Sequence, residues 1–468
     1  MMNWRRPLLS LALRVIHPVT ARELALLRRL DRAPAAEIRR VHEQRLEALL
    51  RHAYGQTDYY REILGDLGVV RGDGREVRLG EFERIPILTK DVIRAQGPRL
   101  RAKTLPPGRE AYVNRTGGST GQPVEYWQDN YYWGVNVATK LYHFKMLGKR
   151  LGEPELKIWG SDRDLVLETG TAMRRVQNLG YNRRIVTCGA LRPEDIEALI
   201  VEVNRFRPKS VWGYIDALYT IAEYVNRTGR KLHSPGVVLG GGGTMFPQMR
   251  ESIRRAFKAP VINFYGSREM GDVACECARM DGLHVSSNSH KVEVVDAAGR
   301  PPVDGEDGDL ILTALHNYAM PFIRYRIGDR GCLSSRPCAC GRGFPTLKNV
   351  SGRGMEAFVR ADEAVISPIY LITSVGGIAD SGLVRRIQFV QEDYDRVLVK
   401  LVPDTTASEA DIARWAEAVR GKFRAVMGPT CEVRVERVAD IPPTDSGKYL
   451  YTISKVKTRE PALAKMSA

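Results

Sequence analysis

The sequence predicts an α/β protein with a large N-terminal domain of mostly parallel sheets and flanking helices, followed by a small α+β domain. Strand-like and helical runs alternate between residues 155 and 264, which is typical of a parallel sheet covered by helices. The composition changes after Gly352-Arg353-Gly354, and 468 residues are enough for more than one domain. We therefore expect domains at residues 1–353 and 354–468.

The first 65 residues predict a helical entry segment. They are rich in Leu, Arg, Glu and Ala, with Leu46, Leu49 and Leu50 at helical spacing. The run from Trp4 to Ile16 resembles a signal peptide, but Arg14 interrupts its apolar core and no small-residue cleavage site follows. We interpret it as an amphipathic helix that packs on the protein's own surface. Peripheral contact with a membrane or a partner is the alternative.

The later strands and helices are expected in a regular order. Residues 155–159, 210–213, 237–239 and 260–264 predict strands, and residues 193–206, 215–226 and 247–257 predict the helices between them. In the small domain, residues 386–390, 397–402 and 431–438 predict strands, and residues 408–426 predict a helix. Ligands bind at the carboxyl ends of parallel strands. The segments directly after residues 239 and 264 are therefore candidate binding segments.

Charge and composition limit the function classes. The formal net charge is +16, but the charges are spread along the chain and no nucleic-acid motif accompanies them. We expect no nucleic-acid partner, because a solvated surface or the capture of polyanionic substrates explains the excess. No apolar run approaches the roughly 20 residues that span a bilayer. Seven cysteines in this length do not form a disulfide framework. We expect a cytoplasmic protein, and a homodimer stays open.

The most informative segment is a loop of small polar residues that follows a predicted strand. Glycines let backbone N–H groups approach an anion closely, and hydroxyl groups add donors without bulk, so such a loop suits a polyphosphate. It is not a Walker A loop, because no Gly-Lys-Ser/Thr closes it, and it is not a dinucleotide fingerprint. The loop consists of Thr116, Gly117, Gly118, Ser119, Thr120 and Gly121.

Three further segments follow in order: Tyr265-Gly-Ser-Arg-Glu269, Tyr325-Arg-Ile-Gly-Asp329 and Pro443-Thr-Asp-Ser-Gly-Lys448. With the first loop they resemble the ordered signature of the adenylate-forming ligase superfamily, and most closely its phenylacetate–CoA ligase family, including capsule-biosynthesis relatives. The resemblance covers nearly the whole chain. It implies that ATP and Mg²⁺ convert a carboxylic acid, aromatic in that family, into an acyl-adenylate. Coenzyme A then takes the acyl group, after a small mobile C-terminal domain has rotated.

The resemblance also implies roles for single residues. The loop at residues 116–121 would wrap the β- and γ-phosphates, and Glu269 would hold Mg²⁺. Lys448 would bridge the substrate carboxylate and the α-phosphate. Tyr265 would stack on adenine, and Asp329 would accept hydrogen bonds from the ribose. The nucleotide-binding set is Gly242, Gly243, Thr244, Tyr265, Gly266, Ser267, Asp329 and Arg353.

Two positions depart from the family pattern, and they leave alternatives open. Asn263 stands where an acidic residue is usual, and Met355 stands where an Asp is common at the linker. The second departure concerns the transfer step, and it leaves a different acceptor of the acyl group open: a carrier protein, an amine or a sugar. A non-enzymatic scaffold is the third interpretation, although Lys448, Glu269 and Asp329 argue against it. The candidate acyl-pocket residues are Tyr131, Tyr132, Trp133, Trp212 and Tyr214.

The cysteines form a separate constellation, since five of the seven lie between Cys275 and Cys340. Three thiolates and one imidazole make a tetrahedral zinc set. No open coordination position is implied, so we expect the metal to be structural. Cys275 and Cys332 are rival ligands, and buried thiols without a metal are the alternative. The expected ligands are Cys277, His284, Cys338 and Cys340.

Overall fold

The computed structural model describes residues 3–115, 124–159, 171–186, 193–243, 245, 247–296, 299–302, 306–334, 336–351, 358–362, 365–366, 371, 383–404, 407–441 and 451–456. The chain divides into two compact units. Residues 1–117 and 124–352 form the first unit, and residues 118–123 and 353–468 form the second. The roles expected of the two predicted domains, residues 1–353 for binding ATP and the acid and residues 354–468 for carrying Lys448, stay predictions.

Helices cover the start of the first unit and later alternate with strands. The helices are α1 (Arg5–Ile16), α2 (Pro18–Leu30), α3 (Ala35–Gln56), α4 (Asp58–Asp66), α5 (Lys90–Leu100), α6 (Asn130–Met146), α7 (Ala172–Tyr181), α8 (Pro193–Phe206), α9 (Ile215–Thr228) and α10 (Pro247–Phe257), and a 3-10 helix spans Leu79–Arg84. The strands are β1 (Val70–Arg71), β2 (Glu76–Val77), β3 (Ala111–Arg115), β4 (Glu125–Asp129), β5 (Glu155–Ile158), β6 (Arg183–Val186), β7 (Ser210–Tyr214), β8 (Val237–Gly241), β9 (Val261–Ser267), β10 (Gly271–Glu276), β11 (Leu283–Val285), β12 (His290–Val295), β13 (Gly308–Ala314), β14 (Tyr325–Leu333) and β15 (Thr346–Ser351).

A large sheet forms the centre of this unit. Among the described residues it has eleven strands in the order β12-β13-β14-β15-β11-β10-β9-β8-β7-β5-β6. Five strands at one end of this order, β6, β5, β7, β8 and β9, pair in parallel. All the pairs from β9 to the other end of the sheet are antiparallel. The predicted fold class is confirmed. Strand β9 belongs to both halves, and the antiparallel half is a feature that the helix–strand alternation did not indicate.

The parallel half is buried by the helices that the sequence predicts. Strands β7 and β8 are buried along nearly their whole length, as expected for a sheet covered by helices. The core of this half includes Leu156, Ile158, Val211, Val238 and Val261 from the strands and Ile196, Leu199, Ile200, Val203, Leu218 and Ile253 from the helices.

Helix α2 of the entry segment packs tightly against α6. A Cβ atom added to Gly134 would lie 2.8 Å from Val19 Cγ1, so only glycine permits this approach. The hydroxyl of Thr20 donates a hydrogen bond to the Gly134 carbonyl at 3.1 Å. Leu24, Leu27 and Leu30 of α2 share a core cluster with Ala138, Tyr142 and Phe344. The entry segment is therefore an integral part of the first unit.

Helix α1 forms as predicted, but most of its apolar side chains face outward. Leu13 is buried, whereas Leu8, Leu11 and Val15 are exposed. The expectation that this helix packs its apolar face on the protein's own surface thus holds for Leu13 and is wrong for the other three. Within the described ranges, none of the helices has both the length and the apolar character needed to cross a membrane.

The second unit contains a smaller sheet and one long helix in its described part. Strands β16 (Phe358–Val359) and β17 (Val365–Ile366) pair with each other, and β18 (Val384–Asp393), β19 (Arg396–Pro403), β20 (Glu432–Arg437) and β21 (Thr452–Ser454) form a sheet in the order β20-β19-β18-β21. Helix α11 (Glu409–Met427) packs Trp415, Val419 and Phe423 into a core with Phe389 and Val399. The predicted α+β character is confirmed.

A buried carboxylate ties the edge of the parallel half together. Glu155, at the start of β5, forms ion pairs with Lys149 and with Arg183, whose Nε lies 2.6 Å from Glu155 Oε1. The indole Nε1 of Trp212 donates to the same oxygen at 2.8 Å. Burial raises the pKa of Glu155, but the two cations outweigh this and hold the pKa well below its usual range.

We predict that Glu155→Gln lowers the free energy of unfolding by about 3–5 kcal/mol, because the buried Lys149 ammonium loses its counter-charge. The native pKa of Glu155 is depressed. Its contribution is therefore complete above the unfolded pKa of about 4.3 and declines as the pH falls below that value. Urea unfolding of both proteins between pH 3 and pH 7 measures this difference.

The matched control is Glu47→Gln, which removes an exposed carboxylate paired with Arg51 at 2.5 Å. This change should cost less than about 0.5 kcal/mol. Equal losses in the two variants would contradict the role assigned to Glu155.

Candidate active site and candidate metal centre

Two of the predicted nucleotide-binding residues lie in direct contact. The Tyr265 hydroxyl on β9 donates a hydrogen bond to Asp329 Oδ2 on β14 at 2.8 Å. Strands β10, β11 and β15 lie between them in the sheet order, so a flat sheet would separate them by about 19 Å at 4.8 Å per strand. The sheet must therefore curl until these two strands face each other. Asp329 is only 9% exposed.

Glycines at the end of β8 allow aromatic rings to touch the backbone. Gly242 has a φ of +76°, and a Cβ atom there would lie 2.5 Å from Tyr214 Cδ1. The Tyr214 ring stacks on Trp159 with a centroid distance of 4.3 Å. The ring that lies against Gly242 in this structure is therefore that of Tyr214. Gly243 lies beside it in the same turn.

The turn between β9 and β10 is closed by its own residues. The hydroxyl of Ser267 accepts a hydrogen bond from the Met270 N–H at 3.1 Å. A Cβ atom on Gly266 would overlap the carbonyl oxygen of Gly271, so this position requires glycine. These contacts place Glu269 between the two strands, with its side chain only 5% exposed.

Side chains from three other elements hold the backbone around Glu269. The Gln128 side-chain amide donates to the carbonyls of Arg268 and Glu269 at 3.1 and 3.3 Å. The Tyr132 hydroxyl donates to Arg268 O at 3.1 Å, and His290 Nε2 contacts Met270 O at 2.6 Å. Burial lowers the pKa of His290 to about 4, so its ring is neutral and Nε2–H is the donor. We call Gln128, Tyr132 and His290 the carbonyl cradle.

The carbonyl cradle was not predicted. Its members come from β4, α6 and β12, and each is an ordinary residue type in its own element. Only their convergence on three consecutive carbonyls indicates a role, and no spacing in the sequence reveals that convergence. The arrangement fixes the main chain of Glu269, so that its carboxylate has a defined position. An oxygen ligand of this kind suits Mg²⁺.

Burial raises the pKa of the two neighbouring phenols, Tyr126 and Tyr132, and the charge of Glu269 adds to both shifts. Both hydroxyls therefore remain protonated at neutral pH, and they add no negative charge beside the carboxylate. A cation or a hydrogen-bond donor is thus the natural ligand of this site.

Several predicted residues lie outside the described residues, and their roles stay predictions: Thr116, Gly117, Gly118, Ser119, Thr120, Gly121, Thr244, Arg353, Met355 and Lys448.

Two of the candidate pocket aromatics, Tyr131 and Trp133, contact the entry segment, and their place in an acyl pocket stays a prediction. Tyr131 donates to Glu23 Oε1 at 3.1 Å, and the Trp133 ring lies 5.1 Å from His17.

The four expected metal ligands come together. Cys277 follows β10, His284 lies in β11, and Cys338 and Cys340 precede β15. One ligand atom of each lies within 4.8 Å of the others. The sulfurs of Cys277 and Cys338 are 3.8 Å apart, and Cys340 Sγ is 3.3 Å from His284 Nε2. Tetrahedral zinc with Zn–S bonds of about 2.3 Å places sulfurs about 3.8 Å apart, so the set fits zinc.

The ligands are protected as in a structural site. Cys277, His284 and Cys338 are buried, and burial lowers the pKa of His284, so that the imidazole is neutral and can donate its lone pair. The rival ligands Cys275 and Cys332 are also buried but do not belong to the cluster.

The entry segment binds the loop that carries two of these ligands. The Arg32 guanidinium donates to the Cys340 carbonyl at 2.7 Å, and Arg342 donates to Asp31 Oδ1 at 2.7 Å. The Tyr142 hydroxyl also donates to Asp31, at 2.6 Å. Burial raises the pKa of Asp31, but these hydrogen bonds outweigh it and the pKa is lowered. The metal cluster and the helices before it therefore form one packed region.

The fold resembles that of the adenylate-forming ligases. A crystal structure of 2-hydroxyisobutyryl-CoA ligase, in complex with 2-HIB-AMP and CoA, matches it with a TM-score of 0.64 and 20% identity, over 91% of this chain and 92% of that one. Residues 358–455 match the family model described as the CapK C-terminal domain.

The curated relatives agree with this class. Protein CapK of Staphylococcus aureus is 24% identical over 422 residues, 89% of this chain and 89% of that protein. Phenylacetate-coenzyme A ligase of Thermus thermophilus is 25% identical over 448 residues, 90% of this chain and 97% of that protein. The predicted resemblance to the phenylacetate–CoA ligase family and its capsule-biosynthesis relatives is confirmed.

We predict that protein purified under reducing conditions without chelators contains about one zinc ion per chain. Cys338→Ser and His284→Ala should each lower the zinc content and the unfolding temperature, because structural zinc contributes to folding. Atomic absorption and thermal unfolding measure the two effects.

Cys275→Ser is the control, since Cys275 is a buried thiol two residues from Cys277 and outside the cluster. This variant should retain its zinc. Metal-free wild-type protein, or equal zinc loss in the control, would exclude the proposed ligand set.

Proposed function

We propose that this protein activates a carboxylic acid with ATP as an acyl-adenylate and then transfers the acyl group to coenzyme A. The observation that carries the proposal is the contact between Tyr265 and Asp329, together with the buried Glu269 in the turn after β9. ATP chemistry at such a site needs two acidic groups. In the proposal, Asp329 accepts hydrogen bonds from the ribose hydroxyls, and Glu269 would bind Mg²⁺. The order of the four sequence motifs supports the same assignment.

In the first half-reaction, an oxygen of the substrate carboxylate attacks the α-phosphorus of ATP, and pyrophosphate leaves. Both reactants are anionic, so the protein must neutralise charge and align them. In the proposal, Glu269 would hold Mg²⁺, and the ion would supply positive charge to the phosphates. The N–H groups and hydroxyls of residues 116–121 bind the β- and γ-phosphates. Lys448 bridges the carboxylate and the α-phosphate, and Arg353 contacts the ribose–phosphate end.

In the second half-reaction, the thiol of coenzyme A attacks the acyl carbonyl carbon. The thiol loses its proton, the acyl–phosphate bond breaks, and AMP leaves. The Cys/His cluster takes no part in either step in this proposal. It would hold a structural zinc ion that supports the first unit, and the reaction would take place in the cytoplasm.

A second candidate retains the acyl-adenylate and changes the acceptor to a carrier protein, an amine or a sugar. Met355, at a position where Asp is common in the family, favours it. Mass spectrometry of the products from a panel of carboxylic acids distinguishes the two. Acyl–CoA supports the first candidate. An acyl-adenylate that coenzyme A leaves intact, and that an amine, sugar or carrier protein consumes, supports the second.

We predict that Lys448→Ala abolishes pyrophosphate exchange between ATP and the substrate acid, because the lysine would stabilise charge that develops in the transition state. ATP binding should be nearly unchanged, since other residues hold the nucleotide. Thioester formation from chemically supplied acyl-adenylate should survive.

Lys455→Ala is the matched control, since Lys455 is an exposed lysine of the same unit. It should leave both half-reactions unchanged. Equal loss of both half-reactions in Lys448→Ala would remove the role assigned to that lysine.

We also predict that Asp329→Asn raises the KM for ATP by about 10- to 100-fold, the effect of a hydrogen bond to a charged group. Tyr265→Phe should raise it by only about 2- to 10-fold, because the ring remains and one neutral donor is lost. Steady-state kinetics in saturating acid measure both values.

Tyr224→Phe provides the control, because it removes a similar 2.8 Å bond from a tyrosine to Glu197 on distant helices. Its KM should equal that of the wild type. If Asp329→Asn had the same KM as the wild type, the ribose contact would be contradicted.

A further inference from the structure

Helix α1 presents a continuous apolar stripe to solvent. Trp4, Leu8, Leu11 and Val15 are spaced by four, three and four residues, so they lie on one face of the helix. Their exposed fractions are 57%, 58%, 61% and 71%. A helix that only packs on its own protein would bury this stripe, as it buries Leu13 on the opposite face. The stripe is therefore available to a partner.

Helix α7 extends the apolar surface. It contacts α1. The two helices meet where Gly180 of α7 faces Leu9 of α1, because a Cβ atom built on Gly180 would lie 3.5 Å from Leu9 Cδ2. Val176 and Leu179 of α7 are 64% and 69% exposed. We define the α1–α7 surface as Trp4, Leu8, Leu11, Val15, Ile16, Val176 and Leu179, which are among the exposed large apolar residues of the described chain.

The charges at the edge of this surface have one sign. Helix α1 contains Arg5, Arg6 and Arg14, and α7 contains Arg174 and Arg175, while neither helix contains an acidic residue. Arg5 and Arg14 lie on the two sides of the stripe, and they form no ion pair with a carboxylate of the described residues. The Arg5 guanidinium lies 4.6 Å from the centroid of the Trp4 ring. Apolar side chains flanked by arginine, with tryptophan at the edge, match the polarity gradient of a lipid headgroup layer.

We propose that the α1–α7 surface binds the surface of a bilayer that contains anionic lipids. The leucines and valines would enter the boundary between headgroups and acyl chains, and the arginines would contact lipid phosphates. The chain's net charge of +16 favours approach to an anionic surface. This inference is independent of the proposed reaction.

Charge makes lipid a better occupant than a second copy of this chain. A two-fold interface would place the same surface on both subunits. Arginines of one α1 would then lie near those of the other, with no acidic residue on either helix to compensate. An anionic bilayer supplies the missing negative charge directly.

The test is co-sedimentation of the full chain with vesicles. Wild-type protein should bind vesicles of phosphatidylglycerol and phosphatidylcholine more tightly than vesicles of phosphatidylcholine alone, and binding should weaken as salt rises. Leu8→Asp combined with Leu11→Asp should lower the partition coefficient by at least about tenfold, because two charges replace apolar side chains at the surface. Arg5→Glu combined with Arg14→Glu should lower binding to the anionic vesicles in particular.

Val201→Asp is the matched control, because Val201 is 62% exposed on α8 and lies outside the α1–α7 surface. This variant should bind vesicles like the wild type. Thermal unfolding checks that each variant is folded, which we expect because the changed side chains are exposed.

Wild-type protein that binds neither vesicle, or full binding by Leu8→Asp/Leu11→Asp, overturns the proposal. Sedimentation velocity separates the remaining outcome. A wild-type dimer that is lost in the leucine variant, without vesicle binding, would assign the surface to a second copy and also overturn the proposal.

Discussion

The curl of the large sheet is the constraint on which the candidate active site depends. Tyr265 and Asp329 belong to strands that are four positions apart, and they meet only because the antiparallel half bends back. Register shifts between Asp272 and Ala274 and between Cys332 and Leu333 occur in the strand pairs that connect β9 to β14, and bulges of this kind bend and twist strands. Gly328, with a φ of +95°, adds a backbone conformation that few other residues adopt. Strand β9 joins this curled half to the parallel half, so it can present side chains to both.

The Cys/His cluster and the entry segment support that arrangement from one side. The cluster connects the end of β10, strand β11 and the loop before β15, three neighbours in the curled half. Asp31 and Arg32 then bind the same loop through Arg342 and Cys340. A metal ion there would fix the strands relative to one another and anchor the helices before them. A metal site with no open coordination position would thus serve the candidate active site by holding these strands in place, without taking part in the reaction.

Sequence patterns predicted the parts of the structure that depend on local periodicity or on rare residue types. The parallel strands and their helices have clear apolar patterns, and a Cys/His set is recognisable because few other structures need those residues. Three features could not be predicted. The carbonyl cradle uses Gln128, Tyr132 and His290, which are common residues from distant elements. The curl brings Tyr265 and Asp329 together across three intervening strands, and no local period in the sequence indicates it. The outward orientation of α1 could not be read either, because amphipathic periodicity identifies an apolar face without showing what covers it.

Hydrogen–deuterium exchange in the presence and absence of ATP and Mg²⁺ tests the central claim most directly, namely that nucleotide binds where β9 and β14 meet. Peptides that cover residues 261–273 and 325–333 should exchange more slowly with nucleotide, whereas peptides from helix α8, residues 193–206, should not change. Slower exchange confined to other parts of the chain, with no change in the first two segments, would contradict the claim.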